Sequence, residues 1–336
     1  MFEKLRAFAD MGRTQGITTT ATIPIVGALS STASTEWYHI VYFTALSIFA
    51  HMALNIFIAL GDIKLDAHTY VPSRNPVSSG ILSKKEAMNF VLLGTIICII
   101  SLLIPLSFTN YLSTFMAAIC FFPSYFWLIW YGWKGKKYIF SYDFSFSVSY
   151  AFLVLFGVFT IGGMPTIFTW IFIAVVILVA TAFAQWENGL KDVDADRSVG
   201  VRSFAVVTKV KNNQKINLTH PYYLYGISLK IIFLIFCFIT YLYFENIFYL
   251  LFILIFGIPT QTFIMYRFLI KEKAIDHRKT ILLDVAFTAI LGYSVVVGKT
   301  GVLPLILLVA YLIIGYLIGS YFQYNCEFKF KRFSIQ

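Results

Sequence analysis

Long apolar segments, separated by short polar ones, dominate this chain. A helix needs about 20 mainly apolar residues to cross the hydrocarbon core of a bilayer. Ten segments approach that length, and their pattern predicts spans at about 14–32, 37–61, 87–107, 110–131, 144–163, 166–187, 222–244, 247–267, 280–298 and 303–322. The first is rich in Thr, Gly and Ala, which suit close packing between membrane helices. The pattern therefore predicts an all-α polytopic membrane protein with nine to ten transmembrane helices.

The composition supports a membrane protein and excludes several other classes. Of the 336 residues, 59% are hydrophobic and only 12% are charged, against ~25% charged residues in an ordinary soluble domain. The mean hydropathy is +0.78. These values exclude a disordered chain, a coiled coil and an ordinary soluble enzyme. The four cysteines form no CxxC pair, so neither a zinc site nor a disulfide framework is expected.

The basic residues are unevenly distributed, and their positions predict the orientation of the helices. The chain carries 26 Lys and Arg against 16 Asp and Glu, a net charge of +10. If the N-terminus is cytosolic, every basic residue except Lys230 and Lys299 falls on the cytosolic side. Cytosolic loops are enriched in Lys and Arg, so we expect both termini and the long loops after spans two and six to be cytosolic, in the cell membrane. The sequence contains no aromatic–basic nucleic-acid motif, so the expected partner is the lipid bilayer and not a nucleic acid.

The second and sixth spans each carry a polar stripe that ends in two carboxylates. At ~100° per residue, the polar positions of each span fall on one helical face. They are His51, Asn55, Asp62 and Asp66 in the second span, and Thr181, Gln185, Asn188, Asp192 and Asp196 in the sixth. A single interfacial aspartate is usually only a solvated helix end, but two DxxxD pairs on one side of a membrane indicate a functional site.

The charges around these stripes favour a particular kind of ligand. Four carboxylates facing one cavity repel one another unless cations lie between them. Mg²⁺ binds such oxygen ligands together with substrate phosphates. Arg74 follows the first pair, and Lys191, Arg197 and Arg202 surround the second. Carboxylates and basic groups beside an apolar membrane region fit a diphosphate that carries a lipid tail.

The residues around the two pairs resemble the UbiA superfamily of intramembrane prenyltransferases. The stretch NGLKDVDADRSVGVRSFAV, residues 188–206, is similar to that family's second aspartate motif. The stretches GDIKLDAH and RNPVSSGILSKKEA are similar to the first motif, with a small insertion between them. The Asn-Asp pair that usually opens the first motif is absent, and Ile58 and Ala59 stand in its place. Asn55 lies one turn earlier on the same face and is a candidate substitute.

The resemblance also implies a domain organisation. It covers about 14–300 of the chain. We therefore expect a single transmembrane prenyltransferase domain over residues 1–336, built as a UbiA-like helical bundle with a cavity on the cytosolic side. The segment at about 303–322 would be an extra C-terminal helix, since the family commonly has nine.

The resemblance further implies Mg²⁺-dependent transfer of a polyprenyl group from a prenyl diphosphate to an acceptor within the membrane. The catalytic and metal-binding carboxylates would be Asp62, Asp66, Asp192 and Asp196, with Asp194 and Asn55 as further metal ligands. The diphosphate-binding residues would be Arg74, Lys134, Lys137, Lys191, Arg197 and Arg202. In such a reaction, divalent metal and positioned basic groups stabilise the charge that develops on the diphosphate.

Alternatives concern both the acceptor and the class of protein. We expect the acceptor to be a small, hydroxylated aromatic quinone precursor, with geranylgeranylglyceryl phosphate or a carotenoid as non-aromatic alternatives. The altered first motif also allows a family member without activity. A polytopic transporter is the alternative from another class, but transport sites cluster near the bilayer midplane, whereas these carboxylates lie at one interface.

Overall fold

The first half of the chain folds as a series of consecutive helices. The computed structural model describes residues 2–63, 75–134, 138, 141–182, 189–198, 200–213, 215–269 and 274–324. In the first half the helices are α1 (Phe2–Met11), α2 (Ile17–Ser30), α3 (Trp37–Gly61), α4 (Lys84–Ser101), α5 (Tyr111–Trp133), α6 (Ser141–Thr160) and α7 (Ile167–Thr181). Short 3-10 turns at Thr14–Gly16 and Ile104–Ser107 precede α2 and follow α4.

The second half adds further helices and one small hairpin. The elements are α8 (Gly189–Ser198), α9 (Phe204–Val207), β1 (Lys211–Asn213), β2 (Lys215–Asn217), α10 (His220–Phe244), α11 (Ile247–Phe252), α12 (Ile258–Leu269), α13 (Ala274–Tyr293), α14 (Val297–Thr300) and α15 (Val302–Tyr324). A π-helical turn at Ile253–Gly257 joins α11 to α12. The strands β1 and β2 pair antiparallel, with Asn212 opposite Ile216. This hairpin of two three-residue strands lies in a connection between helices, and the described residues confirm the all-α prediction.

The apolar helices fall where the hydropathy pattern predicts them. Among the described residues, six helices are long and apolar enough to cross a membrane: Trp37–Gly61, Lys84–Ser107, Tyr111–Trp133, His220–Phe244, Ile247–Phe268 and Val302–Phe322. Three shorter apolar helices lie at Phe144–Thr160, Ile167–Thr181 and Leu283–Val296. The structure thus supports a polytopic membrane protein, while the number of spans, nine to ten, stays a prediction.

Helix α2 is buried against α6 at the centre of the first half. Two glycines allow the backbones to touch, since a Cβ on Gly157 would lie 2.0 Å from the carbonyl oxygen of Pro24. A Cβ on Gly27 would lie 2.2 Å from the carbonyl oxygen of Val154. Such close approach is the packing that the small residues of the first predicted span favour. The contact fixes α2 and α6 directly against one another.

The last helix, α15, packs against the beginning of the chain. A Cβ on Gly319 would lie 2.4 Å from the carbonyl oxygen of Thr14, and the Thr14 hydroxyl donates to the Gly319 carbonyl at 2.8 Å. One turn away, Gly315 lies against Thr18. The C-terminal end of α15 therefore lies beside the segment that leads into α2.

A buried polar network joins three helices of the second half. Lys230 of α10 is 1% exposed and Asp284 of α13 is fully buried. The Lys230 Nζ donates to both carboxylate oxygens of Asp284 at 2.5 Å. The Thr288 hydroxyl donates to the Asp284 Oδ1 at 2.7 Å, and the side-chain amide of Gln261 in α12 donates to Thr288 at 3.1 Å. The sequence places Lys230 and Asp284 inside two separate apolar spans.

Candidate functional site

The first carboxylate of the candidate site stands at the end of α3. Helix α3 ends at Gly61, and Asp62 is its C-cap residue, with φ −90° and ψ 1°. The Asp62 backbone N–H donates to the carbonyl oxygens of Ile58 at 3.0 Å and Ala59 at 3.2 Å. The side chain of Asp62 is half-buried. Because the C-terminal end of a helix carries partial negative charge, this position favours a cation beside the carboxylate.

Residues 75–82 form the turn that leads into α4. Asn75 is 5% exposed, and its Nδ2 donates to the Ala59 carbonyl at 2.9 Å. Its Oδ1 accepts from the Val77 N–H at 3.1 Å. The Leu82 N–H donates to the Pro76 carbonyl at 3.1 Å. These bonds fasten the start of the turn to the last turn of α3.

Helix α4 begins with a capping box whose glutamate also forms an ion pair with α1. Ser83 is the N-cap, its hydroxyl accepts from the Glu86 N–H at 3.1 Å, and Glu86 accepts from the Ser83 N–H at 2.8 Å. The Lys4 ammonium of α1 pairs with Glu86 at 2.5 Å. The rings of Phe8 and Phe90 stack with centroids 4.9 Å apart. Helix α1 therefore packs against the same end of α3 and α4 that carries the first motif.

The second aspartate motif lies on α8. Leu190 and Val193 are fully buried, and Asp196 is only 8% exposed. Asp194 is exposed and pairs with Arg197 at 3.4 Å. The side chain of Asp192 lies outside the described residues. The helix therefore buries an apolar face together with Asp196 and turns Asp194 outward.

Helix α8 packs against three helices, α10, α12 and α13, which together form an apolar platform beneath it. Its buried residues Leu190 and Val193 belong to one apolar cluster with Tyr222, Ile264 and Phe268. Val285 and Phe287 of α13 pack against that cluster. The platform helices are the same three that the Lys230 network joins.

Arg197 bonds to Asp194 of its own helix and to Val210. One guanidinium nitrogen, Nη2, donates to the Val210 carbonyl at 2.5 Å, and Nη1 donates to Asp194 at 3.4 Å. Arg197 thereby ties α8 to the residue that precedes β1. Arg202 is exposed nearby in sequence. Binding of a diphosphate by Arg197 and Arg202 stays a prediction, and Arg197 would have to share its donors with these contacts.

Asn55 and His51 are engaged within the helix bundle. The Asn55 Nδ2 donates to the carbonyl oxygen of His51, one turn earlier, at 2.8 Å. The His51 Nε2 lies 3.1 Å from the Arg13 carbonyl, and its Nδ1 lies 2.8 Å from the Thr20 hydroxyl. A carbonyl can only accept, so Nε2 carries the proton and Nδ1 accepts from Thr20. Both ring nitrogens of His51 therefore have partners in α2 and the segment before it.

The remaining predicted residues divide into exposed and undescribed ones. Lys134 is exposed, with its Nζ 4.4 Å from the ring centroid of Trp133. The residues that fall outside the described part of the chain are Asp66, Arg74, Lys137, Gln185 and Asn188, together with the side chains of Lys191 and Asp192. Within the part that is described, no three Asp, Glu, His or Cys residues come close enough to hold a metal ion. The donor chemistry of Asp62 and Asp196 fits Mg²⁺, which prefers carboxylate oxygens.

An apolar groove of about 510 Å³ lies far from the first motif. It is lined by Tyr38 and Tyr42 of α3 and by residues around Ile104 and Phe108. Tyr38 is at the opposite end of α3 from Asp62, about 35 Å away at 1.5 Å per residue. This groove therefore does not belong to the candidate site.

Asn75 and the Lys230–Asp284 pair are not among the site residues that the sequence pattern predicts. The Asn-Pro dipeptide at residues 75–76 is a turn signal, but it does not reveal that the Asn75 side chain reaches α3. Two opposite charges in separate apolar spans are a signal for an ion pair. The sequence could therefore have suggested Lys230 and Asp284 as partners.

Comparisons with known proteins agree on one family and one fold. The model of the UbiA prenyltransferase family matches residues 18–280. The solved structure of a digeranylgeranylglyceryl phosphate synthase is similar to 95% of this chain and 99% of its own, with 17% identity and a TM-score of 0.58. A UbiA homologue from Archaeoglobus fulgidus, bound to DMAPP and Mg²⁺, matches 87% of this chain and 99% of its own, with 14% identity and a TM-score of 0.61. The apo UbiA homologue from Aeropyrum pernix K1 matches 84% and 98%, with 14% identity and a TM-score of 0.64. A search of curated sequences gives no match.

Proposed function

Since the chain belongs to the UbiA prenyltransferase family, we propose that it transfers a polyprenyl group from a prenyl diphosphate to an acceptor within the membrane, with Mg²⁺ as its cofactor. The observation that carries the proposal is the family match over residues 18–280, which includes both aspartate motifs. The family membership confirms the resemblance and leaves the transporter alternative without support. Similar structures hold DMAPP with Mg²⁺ and GPP with Mg²⁺.

The carboxylates of the two motifs are the proposed metal ligands. Asp62, Asp66, Asp192 and Asp196 would hold Mg²⁺, with Asp194 beside them. Bound there, Mg²⁺ would stabilise the negative charge of the departing diphosphate. Two observations support this role: Asp62 stands at a helix end that favours a cation, and Asp196 keeps its carboxylate in a largely buried setting.

Basic residues of the loops would bind the diphosphate itself. The proposed set is Arg74, Lys134, Lys137, Lys191, Arg197 and Arg202. Lys and Arg donate charge-assisted hydrogen bonds to phosphate oxygens. The apolar helices beside them would hold the prenyl chain and exclude water, which protects an allylic cation from hydrolysis.

We propose a hydroxylated aromatic quinone precursor as the acceptor. A second candidate is geranylgeranylglyceryl phosphate, because one similar structure is a digeranylgeranylglyceryl phosphate synthase whose fold matches 95% of this chain. At 17% identity that likeness shows the fold alone, so the two acceptors are separated by experiment.

The protein is an integral membrane protein, and we propose that both termini face the cytosol. The packing of α15 supports this orientation, because it puts the C-terminal end of that helix beside the segment before α2. The concentration of Lys and Arg in the loops on that side supports a cytosolic assignment.

The test is transfer by purified protein in lipid nanodiscs. Labelled prenyl diphosphates of several chain lengths are incubated with Mg²⁺ and either dihydroxynaphthoate, hydroxybenzoate or geranylgeranylglyceryl phosphate. We expect product with one acceptor class, loss of product with EDTA, and near-complete loss in Asp62→Ala and Asp192→Ala. Product formation that survives both EDTA and these substitutions would contradict the proposal.

A further inference from the structure

Asn75 is a buried side chain beside the first aspartate motif, and nothing in the sequence pattern assigns it a role. It is 5% exposed and lies at the start of the turn that leads into α4. It is 13 residues beyond Asp62 in the sequence, yet its side chain reaches back to the last turn of α3. The contact is therefore a tertiary one between the two sides of the first motif.

The Asn75 amide and the Asp62 backbone bind the same carbonyl group. The Ala59 oxygen accepts from the Asn75 Nδ2 at 2.9 Å and from the Asp62 N–H at 3.2 Å. Carbonyl groups in the last turn of a helix lack partners inside the helix and need others. Asn75 supplies one, and it does so at the carbonyl that also orients the Asp62 backbone.

Asn55, by contrast, is directed away from Asp62. It lies seven residues earlier, about 10 Å along the helix axis. Its Nδ2 donates to the His51 carbonyl at 2.8 Å, toward the beginning of α3. The Asn-Asp pair expected of the first motif is replaced by Ile58 and Ala59. The asparagine amide that bonds to this position is that of Asn75, which donates to the Ala59 carbonyl.

We propose that Asn75 is a positioning residue of the first aspartate motif. It fixes the Ala59 carbonyl and so holds the turn from which the Asp62 carboxylate projects toward a bound divalent cation. The inference rests on the proposed function, since it presumes that Asp62 is a metal ligand. Residues that orient metal ligands typically contribute ~10–100-fold to metal affinity.

If Asn75 only stabilised its own turn, its substitutions would have different effects. Its Oδ1 accepts from the Val77 N–H, two residues on, which is the bond of an Asx-turn. Serine can make the same turn bond, but its hydroxyl is too short to reach Ala59. Asn75→Ser therefore keeps the turn bond to Val77 and removes the bond to the Ala59 carbonyl, whereas Asn75→Ala removes both bonds.

The experiment measures binding of Mn²⁺, a spectroscopic substitute for Mg²⁺, by electron paramagnetic resonance in nanodiscs with geranyl diphosphate. Hydrogen exchange of the peptide that spans 58–63 is followed in the same samples. Asn110→Ala is the matched control, because Asn110 caps α5 through one bond to the Ser113 N–H at 2.8 Å, away from the motifs. We expect Asn75→Ser and Asn75→Ala to weaken Mn²⁺ binding ~10–100-fold and to speed exchange at 58–63. Asn110→Ala should change neither.

The outcomes separate this inference from the proposed function. If the wild type binds Mn²⁺, Asp62→Ala abolishes binding and Asn75→Ser binds as the wild type does, Asn75 does not position the motif and the inference is wrong. If Asn55→Ala weakens binding and Asn75→Ala does not, the inference is again wrong and Asn55 is the supporting residue. If Asp62→Ala binds Mn²⁺ as tightly as the wild type, the proposed metal site fails, and the inference fails with it.

Discussion

Replacing Lys230 with methionine should destabilise the protein strongly. The Lys230 Nζ lies 2.5 Å from both carboxylate oxygens of Asp284, and both side chains are buried, at 1% and 0% exposure. Methionine keeps most of the volume of the lysine stem but leaves the carboxylate without its countercharge. Removing one partner of a buried pair typically costs ~3–5 kcal/mol. We expect Lys230→Met to lower the free energy of unfolding by about that amount.

Replacing both Lys230 and Asp284 with apolar residues should recover most of the lost free energy of unfolding. An apolar pair of similar volume avoids the desolvation of two charges, and such exchanges are often neutral or stabilising by ~1–4 kcal/mol. In the double variant Lys230→Met/Asp284→Leu, the Thr288 hydroxyl and the Gln261 amide still bond to one another. We therefore expect the double variant to be clearly more stable than Lys230→Met.

The assay is reversible denaturation of the purified protein in mixed micelles, with the unfolding midpoint and slope measured for each variant. Lys299→Met is the matched control, since Lys299 is an exposed lysine, and its replacement should change stability by no more than about 0.5 kcal/mol. A loss below about 1 kcal/mol in Lys230→Met, or a double variant no more stable than the single one, would show that the ion pair does not stabilise the fold in this way.

Other predictions concern packing, loop order and topology. Gly157→Ala should lower the melting temperature markedly, because the new Cβ would lie 2.0 Å from the Pro24 carbonyl oxygen; a melting temperature equal to that of the wild type would contradict the contact. Arg197→Ala should speed hydrogen exchange around Val210, whose carbonyl loses its guanidinium donor, and unchanged exchange there would contradict the bond. In intact cells, an impermeant thiol reagent should label a cysteine at Asn246 and spare one in α1; the reverse pattern would overturn the orientation.

The apolar pattern predicts the helices best where charged residues mark their ends. The second span is predicted at 37–61, and α3 occupies Trp37–Gly61, because Glu36 and Asp62 flank a continuous apolar run. The sixth span is predicted at 166–187; α7 covers Ile167–Thr181 of it, and α8 begins at Gly189. The stripe that links Thr181 to Asp196 by helical periodicity thus depends on residues outside the described part of the chain.

Helical periodicity does not reveal tertiary hydrogen bonds. The Asn75–Ala59 bond depends on how the chain turns between α3 and α4, and the Lys230–Asp284 pair joins residues 54 positions apart. Helical periodicity describes one helix at a time, so it cannot say which faces meet. The same limit explains Asn55, which periodicity places on the face of Asp62 while its amide donates to the His51 carbonyl.

Different contacts support the two aspartate motifs, so they should respond differently to the same substitution. The end of α3 that carries Asp62 is bonded to the Asn75 side chain through the Ala59 carbonyl, whereas α8 packs on the apolar platform whose helices the Lys230 network joins. Loss of the network should therefore loosen the platform before it affects α3. In Lys230→Met, hydrogen exchange should rise over 189–198 and remain unchanged over 58–63. If hydrogen exchange rose equally in both segments, the two motifs would belong to one cooperative unit and this prediction would be wrong.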